Sequence, residues 1–257
     1  TAWKRFTKNR FYAFTNMQTK VAQKLPRILT VSSNSYEDII RDHKVDAERL
    51  HIVNVGVDTN QFRPMDDISP APGRLMTTAS ADVAMKGLAF LLEALAKLRT
   101  ENDSIHLVVI GKPKYDSKAT KLIKELRLSE HIEFVSGVSD ERIVELYNEA
   151  QIAIVPSLYE GFSLPAIEAM SCGVPLIATT GGALPEVVGE DGVTALQVAP
   201  GNSEDLAAKI RWALKEPKLR STIGSAGRQR VVKNYSWRIT AEKTVEHYRA
   251  LLSEVQV

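Results

Sequence analysis

The chain has 257 residues, 44% hydrophobic and 25% charged, the composition of an ordinary globular protein with length for one large domain or two modest ones. Its 33 basic and 31 acidic residues leave a net charge of +2, which gives no case for a nucleic-acid partner. The single cysteine, Cys172, excludes an internal disulfide, and no apolar run approaches the length of a membrane span. A reducing, cytoplasmic setting is the expectation, membrane-peripheral at most.

The N-terminal stretch TAWKRFTKNRFYAFTN lacks the apolar core of a signal peptide and has no starting methionine, so the chain reads as processed or as a fragment. Trp3, Phe6, Phe11, Tyr12 and Phe14 alternate there with Lys4, Arg5, Lys8 and Arg10. Such a helix can pack its aromatics on its own domain or lie on a membrane surface. An apolar face left exposed would favour a dimer.

Short apolar runs predict strands at Ile28–Ser33, His51–Val55, Arg74–Thr78, Ile105–Ile110, Ile132–Val135, Ile152–Val155, Leu176–Thr179 and Ala195–Val198. Several are continuously apolar, as in strands buried on both faces. Helical patterns fall between and after them at Gly87–Arg99, Ser117–Leu128, Asp140–Glu149, Pro165–Ser171, Ser203–Lys215 and Ser236–Leu252. The alternation predicts an α/β fold, a Rossmann-like doubly wound parallel sheet. Residues 58–73, with three prolines and no apolar period, read as a linker. The expected organisation is therefore the tail of a preceding domain over 1–57, the linker, a Rossmann-like domain over 74–235, and a last helix over 236–257 that folds back onto the earlier domain.

Ligands of such sheets bind beyond the carboxyl ends of the strands. There the segment PSLYEGFSLPAIEAMSCGVP, Pro156 to Pro175, carries the most information. Pro165 suits a first helical turn, and Gly173 with Pro175 suits its end. The amides around Phe162–Pro165 would then form an anion site at a helix N-terminus. Glu160 and Glu168 bracket the turn. Carboxylates repel a pyrophosphate, so they fit better as acceptors for hydroxyls, one on a sugar and one on a ribose. Taken alone, the pattern fits equally a plain strand-to-helix turn whose acid favours the helix dipole.

E-G-F-S-L-P-A-I-E resembles the E-x7-E signature of family four of the glycosyltransferases, the retaining GT-B group. VNVGVDTNQFRP resembles that family's interdomain segment, and GGALPEVVGEDGVTALQVAPGNSEDLA resembles the stretch after its signature. The resemblance implies the C-terminal, donor-binding half of a GT-B fold. The implied reaction transfers a sugar from a nucleotide-diphosphate sugar with retention of configuration. It implies no cofactor and no essential metal. It places Glu160 at the donor sugar, Gly161, Phe162 and Ser163 at the sugar hydroxyls, Leu164 at the distal phosphate and Glu168 at the ribose. Lys86, in M-K-G, matches the phosphate-binding lysine, which would offset charge on the leaving diphosphate. Backbone at Gly137 and Val138 would approach the nucleobase.

One position departs from the family. An arginine is usual five or six residues before the lysine, where this chain has Ser80 or Ala81. Thr77, Thr78 and Ser80 are the candidate replacement donors; Arg74 comes too early. The resemblance also implies a preceding acceptor domain that supplies a histidine, and none of the five histidines here matches that role. The chain alone is therefore expected to bind donor weakly without turnover, and its acceptor (sugar, lipid or small molecule) is unreadable. Two rival readings remain: a non-catalytic nucleotide-sugar-binding module, and a GT-B sugar-nucleotide epimerase or phosphorylase.

Overall fold

Every strand expected from the apolar runs forms, shorter by a residue or more in four of the eight. The structure, a computed structural model, describes residues 14–78, 83–113 and 115–255. It comprises two units, one of residues 1–54 with 240–257 and one of residues 55–239.

In the smaller unit, helix α1 covers residues 14–22. Strands β1 (Ile28–Thr30) and β2 (Leu50–Ile52) pair in parallel around helix α2 (Ser33–His43). Ser32 caps α2 through its side chain, and Lys44 ends it in the left-handed region at φ 53°. Residues 240–255 are helical, and Thr240 Oγ1 donates to the Asn54 carbonyl at 2.9 Å. Arg27 reaches Glu254 at 2.6 Å and His247 Nδ1 at 3.2 Å. The aromatic N-terminus that suggested a membrane or dimer contact lies, up to residue 13, outside the described residues. No helix among the described residues is long and apolar enough to cross a membrane.

The larger unit holds β3 (Arg74–Thr78), α3 (Leu88–Arg99), β4 (His106–Ile110), α4 (Lys118–Glu125), β5 (Ile132–Val135), α5 (Asp140–Glu149), β6 (Ile152–Val155), α6 (Leu164–Ser171), β7 (Leu176–Thr179), α7 (Leu184–Val188), β8 (Leu196–Val198), α8 (Ser203–Lys215) and α9 (Pro217–Asn234). The first residues of α10 (Trp237–Val255) also belong to it. Its six strands are all parallel in the order β5-β4-β3-β6-β7-β8. The chain therefore runs outward from β3 to β5, returns to lay β6 beside β3, and runs outward the other way.

Period-two alternation splits the core across the sheet. Leu75, Leu107, Val109, Ile152 and Ile154 face one layer, with α3, α4 and α8. Met76, Val108, Ala153 and Val155 face the other, with α5, α6 and α7. The leucine stripe of α3 (88, 91, 92, 95 and 98) is buried throughout, at about 1.5–3 kcal/mol of gross stabilisation per side chain.

Segment 58–73 lies within the larger unit. Phe62 is buried in its core. Asn148 of α5 accepts from Met65 N at 2.9 Å and donates to the Arg63 carbonyl at 3.1 Å. The Gln151 side chain takes the Gly73 amide at 2.8 Å. A stretch without apolar periodicity is thus held through its backbone, by polar side chains from elsewhere.

Candidate active site

The loops after β3 and β6 leave neighbouring central strands on either side of the point where the chain reverses direction. That is where open parallel sheets leave a crevice at their carboxyl edge. Lys86 sits in the first loop and Glu160 in the second. Their side chains meet, with Lys86 Nζ 2.7 Å from Glu160 Oε1. Ser157 Oγ donates to the same oxygen at 2.7 Å. Among the described residues, Oε2 has no partner.

Several contacts fix this arrangement. Gly87, just after Lys86, has φ +67°, and a Cβ there would lie 1.8 Å from the Pro156 carbonyl oxygen. Leu158 N donates to the Met85 carbonyl at 2.8 Å, stitching the two loops together. From the other side, Ala183 N donates to the Glu160 carbonyl at 2.8 Å. Gly181 packs so closely that a Cβ would stand 2.4 Å from the Leu158 carbonyl oxygen. Thr179 Oγ1 donates to the Ser157 carbonyl. The Glu160 loop is thus clamped between the loops after β3 and β7. The Lys86–Glu160 pair is partly exposed, with side-chain exposures of 35% and 12%, and such a pair contributes about 1 kcal/mol or less to stability. Its main effect is to orient the carboxylate.

Helix α6 begins one residue earlier than expected, with Ser163 as its cap. The cap occupies the amides that follow Pro165. Ser163 Oγ already accepts from Ala166 N at 3.4 Å, and its carbonyl accepts from Ile167 N at 3.3 Å. Pro165 has no amide hydrogen. The first-turn donor left for an anion is the amide of Leu164, a residue whose side chain is exposed. Phe162 packs edge-on to Tyr235, ring centroids 5.8 Å apart, so its side chain serves packing while its backbone stays in the loop.

Glu168, one turn into α6, accepts from Tyr147 Oη at 3.1 Å. Burial pushes its carboxyl above the ordinary range, and the Tyr147 bond pulls it partway back. The sequence singled out neither Tyr147 nor Ser157. Tyr147 reads as one more apolar residue of α5, and Ser157 as a turn residue after a strand.

Gly137 and Val138 follow β5, on the same carboxyl edge but at the outer strand. Gly137 has φ +71° with open space around it. Thr78 Oγ1 lies 3.4 Å from Tyr147 Oη. Thr77 Oγ1 is buried and has no partner among the described residues. Ser80 and Ala81 lie outside the described residues. Arg74 starts β3 at the opposite edge of the sheet, 2.9 Å from Glu149 and 3.3 Å from His106 Nε2. It cannot serve the crevice, and His106 is accounted for by that contact. No group of three His, Cys, Asp or Glu side chains among the described residues could hold a metal ion.

Residues 69–230 match the family model described as glycosyl transferases group 1. The chain belongs to that family. It is 42% identical over 253 residues to an MMP alpha-(1->4)-mannosyltransferase of Mycolicibacterium hassiacum, covering 98% of this chain and 61% of that protein. Among solved structures, a sucrose-phosphate synthase from Thermosynechococcus elongatus superposes with a TM-score of 0.82 at 26% identity, over 93% of this chain and 62% of that one. The C-terminal domain of a group 1 glycosyl transferase, LpcC, from Francisella tularensis superposes with a TM-score of 0.62 at 28% identity, over 70% of this chain and 99% of that one. The sheet is the Rossmann-like sheet of GT-B glycosyltransferases. The chain spans about 60% of the length of the mannosyltransferase it matches.

Proposed function

We propose that this chain is the donor-binding half of a retaining glycosyltransferase that uses a nucleotide-diphosphate sugar. The observation that carries the reading is the state of Glu160. One of its oxygens is held by both Lys86 and Ser157, while the other has no partner among the described residues, in the crevice where the sheet reverses. A carboxylate oriented on one side and open on the other suits a site for positive charge developing at an anomeric carbon.

In this reading each group has one task. Glu160 Oε2 faces the donor sugar. Lys86 carries three donors and spends one on Glu160; the others meet the diphosphate and offset its charge as it leaves. The Leu164 amide takes a distal phosphate oxygen at the positive end of α6. Glu168 accepts from the ribose. The backbone at Gly161, Phe162 and Ser163 meets the sugar hydroxyls, and that at Gly137 and Val138 meets the base. The name of the 42% identical relative makes mannose the first sugar to try. Turnover requires the part of the relatives' length that the present sequence does not span, and the acceptor binds there.

Thermal shift with UDP-, GDP- and ADP-sugars tests donor binding, because a ligand bound only by the native state stabilises it by mass action. The decisive measurement is transfer from labelled donor by a protein extended to the relatives' length, with and without Glu160→Ala. Loss of transfer with donor binding retained supports the assignment, and an unchanged rate removes Glu160 from the chemistry. An extended protein that binds donor yet never transfers would instead be a binding module.

A further inference from the structure

The hydroxyl of Tyr147 has no task in the reading above, yet its position is costly. Tyr147 is fully buried, edge-on to Phe62 with ring centroids 6.4 Å apart. Phenylalanine would fill that space, so packing explains the ring and leaves the hydroxyl unexplained. A buried hydroxyl without a bond costs on the order of 1–3 kcal/mol. Three oxygens lie within reach: Glu168 Oε2 at 3.1 Å, the Pro165 carbonyl at 3.4 Å and Thr78 Oγ1 at 3.4 Å. A phenol has one proton. The carboxylate is the nearest acceptor and the only charged one, so the proton goes there. Thr78, which can act as donor or acceptor, closes the network from the end of β3. Side chains and backbone from β3, α5 and α6 thus converge on the Tyr147 hydroxyl, which bonds one oxygen of Glu168, while Glu168 Oε1 has no partner among the described residues.

We propose that Tyr147 is a positioning residue that sets selectivity for ribose over deoxyribose. Its hydroxyl pins Oε2 of Glu168, so that Oε1 is presented, already oriented, to a ribose hydroxyl. The inference rests on the assignment of Glu168 to the ribose made above. Freed of this bond, the carboxylate would turn about its last torsion, which is broad for glutamate, and lose its fixed geometry. The same bond favours the ionised form of a carboxylate that burial disfavours.

The test uses this chain with Tyr147→Phe and Glu168→Gln, titrated calorimetrically with UDP, GDP and ADP and with their 2′-deoxy and 3′-deoxy forms. The unsubstituted chain is expected to prefer a ribonucleotide over one of its deoxy forms by about tenfold or more, as for a hydrogen bond to a charged group. Glu168→Gln should abolish most of that preference. Tyr147→Phe should do the same while leaving deoxy affinity unchanged, and its residual preference should titrate at higher pH. Wild-type preference and an unshifted pH profile in Tyr147→Phe, beside a loss in Glu168→Gln, would overturn this inference alone. Equal weakening of ribo and deoxy forms by Tyr147→Phe would make the hydroxyl merely structural. Preference intact in Glu168→Gln, or no nucleotide bound at all, would overturn the parent assignment and this inference with it.

Discussion

Replacing Gly87 with alanine should damage fold and site together, by an amount the structure allows to be worked out. Gly87 lies at φ +67°, where a side chain costs about 1–2 kcal/mol. A new Cβ would also stand 1.8 Å from the Pro156 carbonyl oxygen. Real Cβ contacts stay beyond about 3 Å, so one backbone must move by roughly an ångström, at a typical overpacking cost of 1–3 kcal/mol. The total is about 2–5 kcal/mol, or very roughly 10 °C in melting temperature for a chain of this size. The two backbones forced apart carry Lys86 and Ser157, so the bonds to Glu160 should break and donor affinity should fall. Gly137→Ala is the internal control. It has nearly the same dihedral, φ +71°, but nothing within 4 Å, and should cost about 1–2 kcal/mol. Urea midpoints of both variants measure the difference. If the two cost the same, close approach of the loops is not what Gly87 provides.

Three further outcomes follow from particular groups. Burial raises the Glu168 carboxyl above its ordinary 4.5, so the native state keeps that proton longer than the unfolded chain does. The group's stabilising contribution is therefore present below pH 4.5 and is lost as pH rises through the raised native value. Glu168→Gln should gain on the parent chain across that window in calorimetric melts, and a relative loss with rising pH would contradict the sign. Asn148→Ala removes bonds to Arg63, Met65 and Val144 and should cost about 2–3 kcal/mol, with faster amide exchange concentrated in residues 62–68; protection unchanged there would show that the segment is held otherwise. The Cys172 thiol, buried and pushed up to about 12, should resist thiol reagents at pH 8 until urea unfolds the chain, and prompt labelling of the native protein would show that its burial is wrong.

The sheet was legible because burial on both faces writes itself as continuous apolar runs. The runs HLVVI and IAIV locate β4 and β6 without help from tertiary contacts. Helices α2 and α9 were not legible. α2 contains no buried residue and is polar on average, and α9 carries two glycines and a weak apolar face. At the site, Lys86, Glu160 and Glu168 are readable because their loops carry recognisable neighbours. Their partners are not. Ser157 acts through a side chain that the sequence cannot aim, and Tyr147 through one hydroxyl on a residue otherwise fully accounted for by packing. The start of α6 shows a related trade. A serine before a helix signals a cap, and a cap consumes the donors that the same helix start would offer to an anion.

The reversal between β3 and β6 also sets an order of assembly. Leu75 pairs with Ile152, and closing a loop of that length is an entropic cost that β3, β4 and β5 avoid among themselves. A chain leaving the ribosome can pair those three strands before β6 exists. Lys86 would then wait, folded into place, for a carboxylate synthesised 74 residues later. If the proposed function holds, nucleotide binding would be among the last properties acquired, and a bound donor would report that both wings of the sheet are complete.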